Sequence, residues 1–298
     1  MVRLFALTGL IIFALLPYIA SAPSHLTKRV TLPIQKRNSG NFTAKDVVNR
    51  DLARLAHYKS RSFTKRLHIG TITNADVDYF AKIRICAKSY NLIIDTGSSN
   101  TWSEEVLGVY FRSESGSDTD DANGELSLGG ADASKYTGEL HYLPKTHTSP
   151  FSQYWGLSSI SLKYGNVPLS LGNIDSAIVD TGTTLILIPM TAFDAFLLAA
   201  GGTTDSASGL AKFSKRPTGN FIISVKGDAF PLTPDQYLVP AAQYNNLGLA
   251  TGSYYAWIAS GGMENIVDVS FIIGQKFLEN YYSVYDTTNE QIGFATRA

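Results

Sequence analysis

Short runs in which hydrophobic and polar residues alternate dominate this chain from residue 77 onwards. Residues 77–85 and 136–142 alternate in this way, residues 155–163 read as a further strand, and Gly, Asn, Asp and Ser residues separate the runs. Alternation with a period of two places one side of a strand on a core and the other side in water. The pattern therefore predicts a mostly β fold, in which many short strands form a packed barrel or sandwich.

Other segments extend this reading of strands and add two helices. Further strands are predicted at residues 90–94, 106–111, 125–130, 167–171, 176–180, 185–188, 221–225, 237–239, 256–259, 271–273, 281–285 and 291–295. Residues 46–56 have apolar positions at helical spacing, and residues 189–198 begin with Pro189 and precede Gly201. Both of these segments are predicted to be helices.

The first 22 residues form a separate apolar segment. Arg3 precedes an apolar run over residues 4–19, and Ala20-Ser21-Ala22 follows it. A basic start, a short apolar run and a small-x-small ending are typical of a secretory signal peptide, here residues 1–22. An uncleaved anchor is the alternative, but the run is short for a membrane span. We expect a secreted, extracellular protein, with the vacuole as the other destination.

The formal net charge is zero, but the charges are unevenly distributed along the chain. Residues 1–73 hold 12 Lys and Arg against two Asp and Glu, whereas the remainder holds 13 against 23. Such a basic arm can bind nucleic acid, or it can be an internal counter-ion for the acidic body, which needs no outside partner. We interpret residues 23–73 as a basic propeptide. Its dibasic pairs are either cleavage sites or solvated charge: Lys28-Arg29, Lys36-Arg37 and Lys65-Arg66.

The sequence offers little to a metal or cofactor. Cys86 is the only cysteine, so neither an intramolecular disulfide nor a cysteine-based zinc site can form. The five histidines are scattered, and the chain has no Gly-rich phosphate loop and no nucleophile-elbow serine. We expect no metal and no cofactor.

One short pattern occurs twice: two apolar residues, then Asp-Thr-Gly, then two hydroxyl residues, centred on Asp95 and Asp180. A carboxylate at the end of a buried strand is costly unless its charge is shared or satisfied. Two unrelated strand-to-turn junctions would have the same local pattern. If the turns meet, however, the carboxylates can share one proton, so that one draws a proton from water while the other donates to a carbonyl oxygen. Glycine allows close approach, and the hydroxyls can bond the outer oxygens.

At these residues the chain resembles the pepsin-like aspartic proteases, in particular secreted fungal members of the polyporopepsin type. Residues 125–130, 271–278 and 281–286 carry further motifs of that family. The resemblance implies an all-β, bilobal fold with one aspartate per lobe, and a cleft for an extended peptide that a basic propeptide blocks until acid releases it. It also implies site residues in this chain: catalytic Asp95 and Asp180, and substrate-binding Gly97, Ser98, Gly182, Thr183 and Thr184.

The resemblance also implies partners and domains. The partners are a protein or peptide substrate and the chain's own propeptide, with no nucleic acid, no membrane after signal cleavage, and a monomeric state. The chain departs from the family pattern after Trp102, where the stretch that normally carries the flap hairpin and the strand supporting the first aspartate is missing. We therefore expect a truncated N-terminal lobe at residues 74–147 and a C-terminal lobe at 148–298.

The departure leaves two functions open. The leading hypothesis is an aspartic endopeptidase that hydrolyses peptide bonds at acid pH through a water held between Asp95 and Asp180. The alternative is a catalytically impaired or inactive secreted homologue that acts as a peptide-binding protein. The missing stretch is either a real deletion or an artefact of how the coding sequence was assembled. Residues 271–274 are expected to support Asp180, whereas residues 103–124 contain no equivalent support for Asp95.

Overall fold

The computed structural model describes residues 30–36, 42–60, 79–85, 88–97, 106–112, 123–262 and 269–298. Within these ranges 19 strands form three sheets, and five α-helices accompany them. The mostly β prediction is therefore confirmed. The predicted signal peptide, Cys86 and Ser98 lie outside the described residues.

The elements follow one another in this order. The strands are β1 (Val30–Lys36), β2 (Tyr79–Ile85), β3 (Lys88–Ile93), β4 (Val106–Phe111), β5 (Gly124–Leu128), β6 (Tyr136–Pro144), β7 (Gly156–Leu157), β8 (Ile160–Tyr164), β9 (Val167–Leu169), β10 (Ala177–Val179), β11 (Ile186–Ile188), β12 (Gly202–Thr204), β13 (Leu210–Phe213), β14 (Phe221–Val225), β15 (Asp228–Leu232), β16 (Tyr254–Ser260), β17 (Ile272–Ile273), β18 (Tyr281–Asp286) and β19 (Gln291–Arg297). The helices are α1 (Ala44–Ser60), α2 (Met190–Ala200), α3 (Pro234–Tyr237), α4 (Tyr244–Leu247) and α5 (Gln275–Leu278).

An eight-stranded sheet joins distant parts of the chain in the order β3-β2-β1-β5-β4-β18-β19-β6. Strand β1 runs antiparallel to both of its neighbours, with Ile34 opposite Ala81 of β2 and Thr31 opposite Ser127 of β5. The sheet thus combines one strand from the predicted propeptide, strands from the predicted first lobe, and two strands from the end of the chain.

Two further sheets carry the second half of the molecule. The seven-stranded sheet has the order β12-β13-β16-β11-β17-β10-β7, and the four-stranded sheet has the order β15-β14-β8-β9. In the first of these, β10 runs parallel to β17, with Ile178 opposite Ile272. Because Asp180 directly follows β10, this parallel pair determines where that carboxylate lies.

Both predicted helices are present, and their ends follow the expected chemistry. At the start of α1, the backbone N–H of Thr43 donates to Asp46 Oδ2 at 2.9 Å, and the N–H of Asp46 donates to Thr43 Oγ1 at 3.3 Å. Helix α2 follows Pro189 and ends at Gly201, whose φ of 68° lies in the left-handed region that glycine tolerates.

The predicted strand at 237–239 is wrong. Residues 234–237 form α3, and Leu238 makes only an isolated bridge to Ala256. Thr233 and Gln236 form a capping box around Pro234 at the start of the helix, and these local signals start a helix where apolar residues alone indicated a strand. Strands β1, β12, β13 and β15 were not predicted.

The buried apolar residues fall into two clusters. The larger one fills the space between the sheets and includes Phe111, Phe196 and Phe294. The second lies under α1 and includes Val47, Leu55, Leu185 and Trp257. Helix α1 is therefore packed into the molecule rather than attached to its surface. Among the described residues, no helix is both long and apolar enough to span a membrane.

Candidate active site

The two Asp-Thr-Gly turns lie at the ends of strands in different sheets. Asp95 follows β3, where the Ile94 N–H donates to Tyr79 O at 2.9 Å, and Asp180 follows β10, where its own N–H donates to Ile273 O at 3.1 Å. The second contact confirms that residues 271–274 support Asp180. A Cβ on Gly274 would lie 2.5 Å from Thr183 O, so this close approach requires glycine.

The threonines of the two turns bond to each other reciprocally. The Thr96 N–H donates to Thr181 Oγ1 at 2.9 Å, and the Thr181 N–H donates to Thr96 Oγ1 at 3.0 Å. Each hydroxyl then donates across to the other strand end, Thr96 Oγ1 to Val179 O at 3.1 Å and Thr181 Oγ1 to Ile94 O at 2.9 Å. All of these groups are buried, so the four bonds, the threonine clasp, hold the two turns side by side.

The two carboxylates converge on one nitrogen atom. Arg54 of α1 places its Nη2 at 2.6 Å from Asp95 Oδ1 and at 3.1 Å from both oxygens of Asp180. The Asp180 side chain is completely buried, whereas 20% of the Asp95 side chain and 27% of the Arg54 side chain are exposed. A cation between two carboxylates satisfies both negative charges. The site is therefore seen with Arg54 bound to both aspartates.

The hydrogen bonds to Asp180 stabilise its ionised form. Its Oδ1 accepts from the Gly182 N–H at 2.9 Å, and its Oδ2 accepts from Thr183 Oγ1 at 2.5 Å and from Tyr58 Oη at 2.8 Å. Burial alone would raise the pKa of Asp180, but the charge of Arg54 and these three donors outweigh burial and lower it below its ordinary value. Asp95 has a matching inner bond, because its Oδ1 accepts from the Gly97 N–H at 2.9 Å.

A second set of polar contacts joins α1 to the segment after Asp180. Arg50 donates to Thr184 Oγ1 and, at 3.0 Å, to Asp51 Oδ1, while Asp51 Oδ2 accepts from the Leu185 N–H at 2.8 Å. Asp51 is fully buried. Burial raises the pKa of Asp51, against the opposing effects of Arg50, the Leu185 N–H and Arg54.

The structure brings six of the seven predicted site residues together. Gly97 and Gly182 each lie against the opposite carboxylate, since a Cβ on either would come within 2.8 Å of an oxygen of Asp180 or Asp95 respectively. Thr183 bonds Asp180, and Thr184 bonds Arg50. Ser98 lies outside the described residues.

Sequence reasoning missed Arg54, Tyr58 and the clasp made by Thr96 and Thr181. A signal for the first two was present: Asp51 and Arg54 lie at helical spacing on the apolar face of the helix predicted at 46–56, and Tyr58 continues that spacing two residues beyond its predicted end. A charged residue on an apolar face calls for a buried partner of opposite charge. For the threonines no local signal exists, because each finds its partner 85 residues away.

Within the described residues, no group of three or more His, Cys, Asp or Glu side chains is arranged to hold a metal ion. The site itself presents two adjacent carboxylates with their hydroxyl and backbone donors.

Comparison with known proteins adds an independent line of observation. The family model for eukaryotic aspartyl proteases matches residues 103–297, a range that contains Asp180 but begins after Asp95. Polyporopepsin from Irpex lacteus is 37% identical over 202 residues, which are 67% of this chain and 58% of that protein. Gastricsin from Cavia porcellus is 33% identical over 202 residues, 66% of this chain and 46% of that protein. The chain thus spans about half the length of the curated relatives that it matches.

A solved structure gives the same picture of the fold. The crystal structure of the aspartic proteinase from Irpex lacteus matches with a TM-score of 0.62 at 22% identity, covering 91% of this chain and 98% of that one. At this identity the likeness shows the fold alone, which is the pepsin-like fold.

Proposed function

Because the chain belongs to the eukaryotic aspartyl protease family, we propose that it is an aspartic endopeptidase that hydrolyses peptide bonds at acid pH with Asp95 and Asp180 as its catalytic pair. One observation carries the proposal: both carboxylates lie within hydrogen-bond distance of the same atom, Arg54 Nη2. Once Arg54 leaves, a water molecule at that position would contact both carboxylates.

The chemistry follows from their proximity. Two carboxylates that share one site cannot both ionise easily, so they hold a single proton between them. The ionised carboxylate takes a proton from the water, the water oxygen attacks the peptide carbon, and the protonated carboxyl donates to the carbonyl oxygen. After α1 has left, the Gly182 N–H and the Thr183 hydroxyl still donate to Asp180 and favour its ionised form, which makes it the better candidate for the base in the first step.

Substrate binding is proposed for Gly97, Ser98, Gly182, Thr183 and Thr184. Gly97 and Gly182 leave room beside the carboxylates, which allows an extended backbone to approach the reacting atoms. The hydroxyl of Thr184 is now bonded to Arg50, and release of that arginine would free it to bond a peptide.

We assign the inhibited state to α1. Residues 23–73 form a propeptide in this proposal, residues 1–22 a signal peptide for secretion, and residues 74–147 and 148–298 the two lobes of a monomer. Arg54 and Tyr58 occupy both carboxylates, so no substrate can reach them while α1 is bound.

Acid weakens this inhibition through Asp180. The pKa of Asp180 lies below its ordinary value of 3.8 when α1 is bound. The ion pair with Arg54 therefore stabilises the bound helix fully at pH values above 3.8. That contribution is lost as the pH falls through the lowered pKa. Acidification therefore favours release of α1.

The alternative proposal is a catalytically impaired or inactive secreted homologue that binds peptides without cleaving them. The family match begins at residue 103, after Asp95, and the chain spans 46–58% of the length of its relatives. A shorter first lobe would exclude water from the site less completely, and this lowers the rate of a reaction that depends on closure.

Cleavage of a denatured protein substrate by the acidified full chain separates the two proposals. We expect cleavage that an inhibitor mimicking the tetrahedral transition state of aspartic proteases blocks, and that Asp95→Asn and Asp180→Asn each reduce by at least about 100-fold, since each removes half of the acid–base pair. A folded chain that shows no inhibitor-sensitive cleavage would support the alternative. Full activity in either Asn variant would exclude the shared pair.

A further inference from the structure

Strands β2 and β3 form an antiparallel pair that ends just before Asp95, and the eight-stranded sheet joins this pair to the rest of the protein through β1. The order at this end of the sheet is β3-β2-β1-β5. Among the described strands, β2 pairs with β1 and β3 alone. Strand β1 belongs to the segment that we assign to the propeptide. When that segment leaves, contacts outside the sheet must hold the strand that carries Asp95.

Tyr79, the first residue of β2, makes such a contact next to Asp95. Its carbonyl oxygen accepts from the N–H of Ile94, one residue before Asp95, at 2.9 Å. Its ring is fully buried and stacks on Phe111 of β4, with the ring centroids 3.9 Å apart. Protein interiors are close-packed, so a buried and stacked ring has little freedom to shift. The position of Tyr79 therefore determines where the strand before Asp95 ends.

The hydroxyl of Tyr79 contacts a buried ion pair at α5. It lies 3.0 Å from Glu279 Oε1 and 3.1 Å from Arg112 O. Lys276 Nζ donates to both oxygens of Glu279, at 3.0 and 2.9 Å, and the two side chains are only 6% and 3% exposed. The same Nζ lies 4.6 Å from the centroid of the Trp257 ring. A hydrogen bond to an ionised carboxylate is roughly twice as strong as one between neutral groups, so Glu279 is the stronger of the two acceptors.

Helix α5 is also bonded to the turn that carries Asp180. The Gln275 N–H donates to Thr183 O at 2.7 Å, and Gln275 Nε2 donates to Thr181 O at 2.8 Å. Both acceptors belong to the residues that directly follow Asp180. One short helix is therefore bonded to the second aspartate turn through Gln275, and through its ion pair to the strand that ends at Asp95.

We propose that Tyr79, Glu279 and Lys276 are positioning residues for the reaction. The ion pair holds the hydroxyl of Tyr79, and Tyr79 holds the strand end before Asp95, so that the two carboxylates keep their spacing after α1 and β1 leave. These residues act through the backbone before Asp95 rather than on the reacting atoms. The inference rests on the proposed function and deepens it, because it gives Asp95 a support that residues 103–124 do not contain.

Tyr79→Phe removes the hydroxyl and keeps the stacked ring. Misplacement of a reacting group by about 1 Å can cost about 100-fold in rate. We therefore expect kcat of the acidified full chain, on a peptide that spans a cleavage site of the denatured substrate, to fall at least about tenfold with KM within about twofold. Tyr281→Phe is the matched control, because it removes a buried hydroxyl that bonds Pro231 O at 2.7 Å, from a ring that stacks on Phe277 of the same helix. It should leave kcat within about twofold.

Variants of the ion pair separate positioning from stability. Glu279→Leu removes the carboxylate that neutralises the buried Lys276 cation, so both the stability and kcat should fall. Adding Lys276→Met removes the cation as well, and the double variant should regain stability in urea unfolding. Its kcat should stay at least about tenfold below that of the wild type, because Tyr79 still lacks its charged acceptor. If kcat recovered together with stability, the pair would serve stability alone and the proposal would be overturned.

Hydrogen exchange of residues 88–97 tests the same contact without requiring activity. In the acidified chain we expect Tyr79→Phe to accelerate exchange of these amides at least about tenfold, as followed by mass spectrometry, and Tyr281→Phe to leave it within about twofold. Faster exchange in a chain that shows no cleavage would support the placement of Asp95 by Tyr79 and count against the proposed function alone. Unchanged exchange in such a chain, or an unchanged kcat of Tyr79→Phe in an active one, would overturn the inference.

Discussion

At the scale of single residues, the threonine clasp is the feature on which the candidate site depends most. Thr96 and Thr181 each serve as donor through the hydroxyl and as acceptor for the other's backbone N–H. Both threonines are buried, so water cannot readily replace a lost bond. The position of Asp95 relative to Asp180 therefore depends on two uncharged side chains.

Thr181→Val removes one of these hydroxyls at almost constant volume. The buried Thr96 N–H then loses its acceptor, so we expect the free energy of unfolding to fall by about 1–3 kcal/mol. Urea unfolding measures the difference. Thr203→Val, at an exposed position of β12, is the matched control and should change stability by less than about 0.5 kcal/mol. Equal effects of the two substitutions would contradict the prediction.

Asp51 makes a separate prediction about pH. The pKa of Asp51 is raised above 3.8 while α1 is bound. As the pH falls through that raised pKa, Asp51 takes up a proton in the bound state first, and binding of α1 becomes more stable. This opposes the effect of Asp180. Asp51→Asn removes the stabilisation that Asp51 gains in acid. We therefore expect the free energy of unfolding of this variant to decline more steeply on acidification, as measured by urea unfolding at a series of pH values.

Asp46 provides the control on the same helix. It is exposed, and the hydroxyl and backbone of Thr43 lower its pKa, so its contribution is lost as the pH falls. Asp46→Asn should therefore make the decline shallower, the opposite of Asp51→Asn. The same change of slope in both variants would show that the assignment to Asp51 is wrong.

The catalytic candidates could be predicted at this scale, and the groups that hold them could not. Asp95 and Asp180 are recognisable because each stands in a repeated local pattern. The clasp and the Arg54 contacts join residues that are 85 and 126 positions apart, and only the folded chain brings them together.

At the scale of elements, α1 starts at a local capping motif and contacts residues that are distant in the sequence. Its first turn is held by the reciprocal bonds of Thr43 and Asp46, and its middle carries the groups that contact the two aspartates. Fraying at the first turn would loosen Val47 and Val48 before it reached Arg54. The cap therefore influences the site at a distance of two to three helical turns.

Thr43→Ala tests this influence. Loss of an N-cap side chain costs about 1 kcal/mol of helix stability, which corresponds to roughly fivefold faster hydrogen exchange of the α1 amides if they exchange by local opening. Mass spectrometry of deuterated chains at neutral pH provides the rate. Asn49→Gln, exposed on the same helix but outside the cap, should leave the rate within about twofold. Unchanged exchange in Thr43→Ala would mean that packing against the second apolar cluster alone holds the helix.

The sequence predicted the type of an element correctly where its hydrophobic pattern and its turn or capping residues indicated the same structure. The runs at β4 and β14 and the Pro189-to-Gly201 signals of α2 led to correct predictions. The strand predicted at 237–239 failed because a capping box in the preceding residues took precedence over apolar content. Strand β1 alternates Val30, Leu32 and Ile34 with Thr31, Pro33 and Gln35, so its pattern was a signal that sequence reasoning missed. In the sheet it lies between β2 and β5.

At the scale of the whole molecule, the segment that we assign to the propeptide is part of the fold in two ways. Strand β1 lies between β2 and β5, and α1 packs against the second apolar cluster with Arg54 bonded to Asp180. The basic character of residues 1–73 and the acidic character of the rest give this association a long-range attraction as well as its short contacts.

Salt should separate the two contributions. Attraction between exposed charges is screened over about 30 Å at 0.01 M salt and about 3 Å at 1 M, whereas the buried contact of Arg54 with Asp180 is screened much less. We expect α1 to be released at a higher pH in strong salt, as judged by the pH at which a labelled transition-state-mimicking inhibitor binds. In Arg54→Ala, which lacks the buried contact, the same salt should shift this pH further.

If salt did not change the pH of release in either chain, the charge asymmetry would have no role in holding α1.

The sequence showed the charge asymmetry but not where the basic segment packs, because opposite charges at a distance are compatible with many arrangements. The expectation of two lobes came from the family resemblance and not from periodicity, which led no further than a packed β fold.

The threonine clasp also affects what acid can do to this protein. Hydroxyl and amide groups do not titrate anywhere between neutrality and strong acid, so the spacing of the two turns is set by a neutral frame. In our proposal, Asp51 and Asp180 change charge around that frame and α1 leaves. Acid would then change the occupant and the charge of the site without altering the distance at which the two aspartates are held.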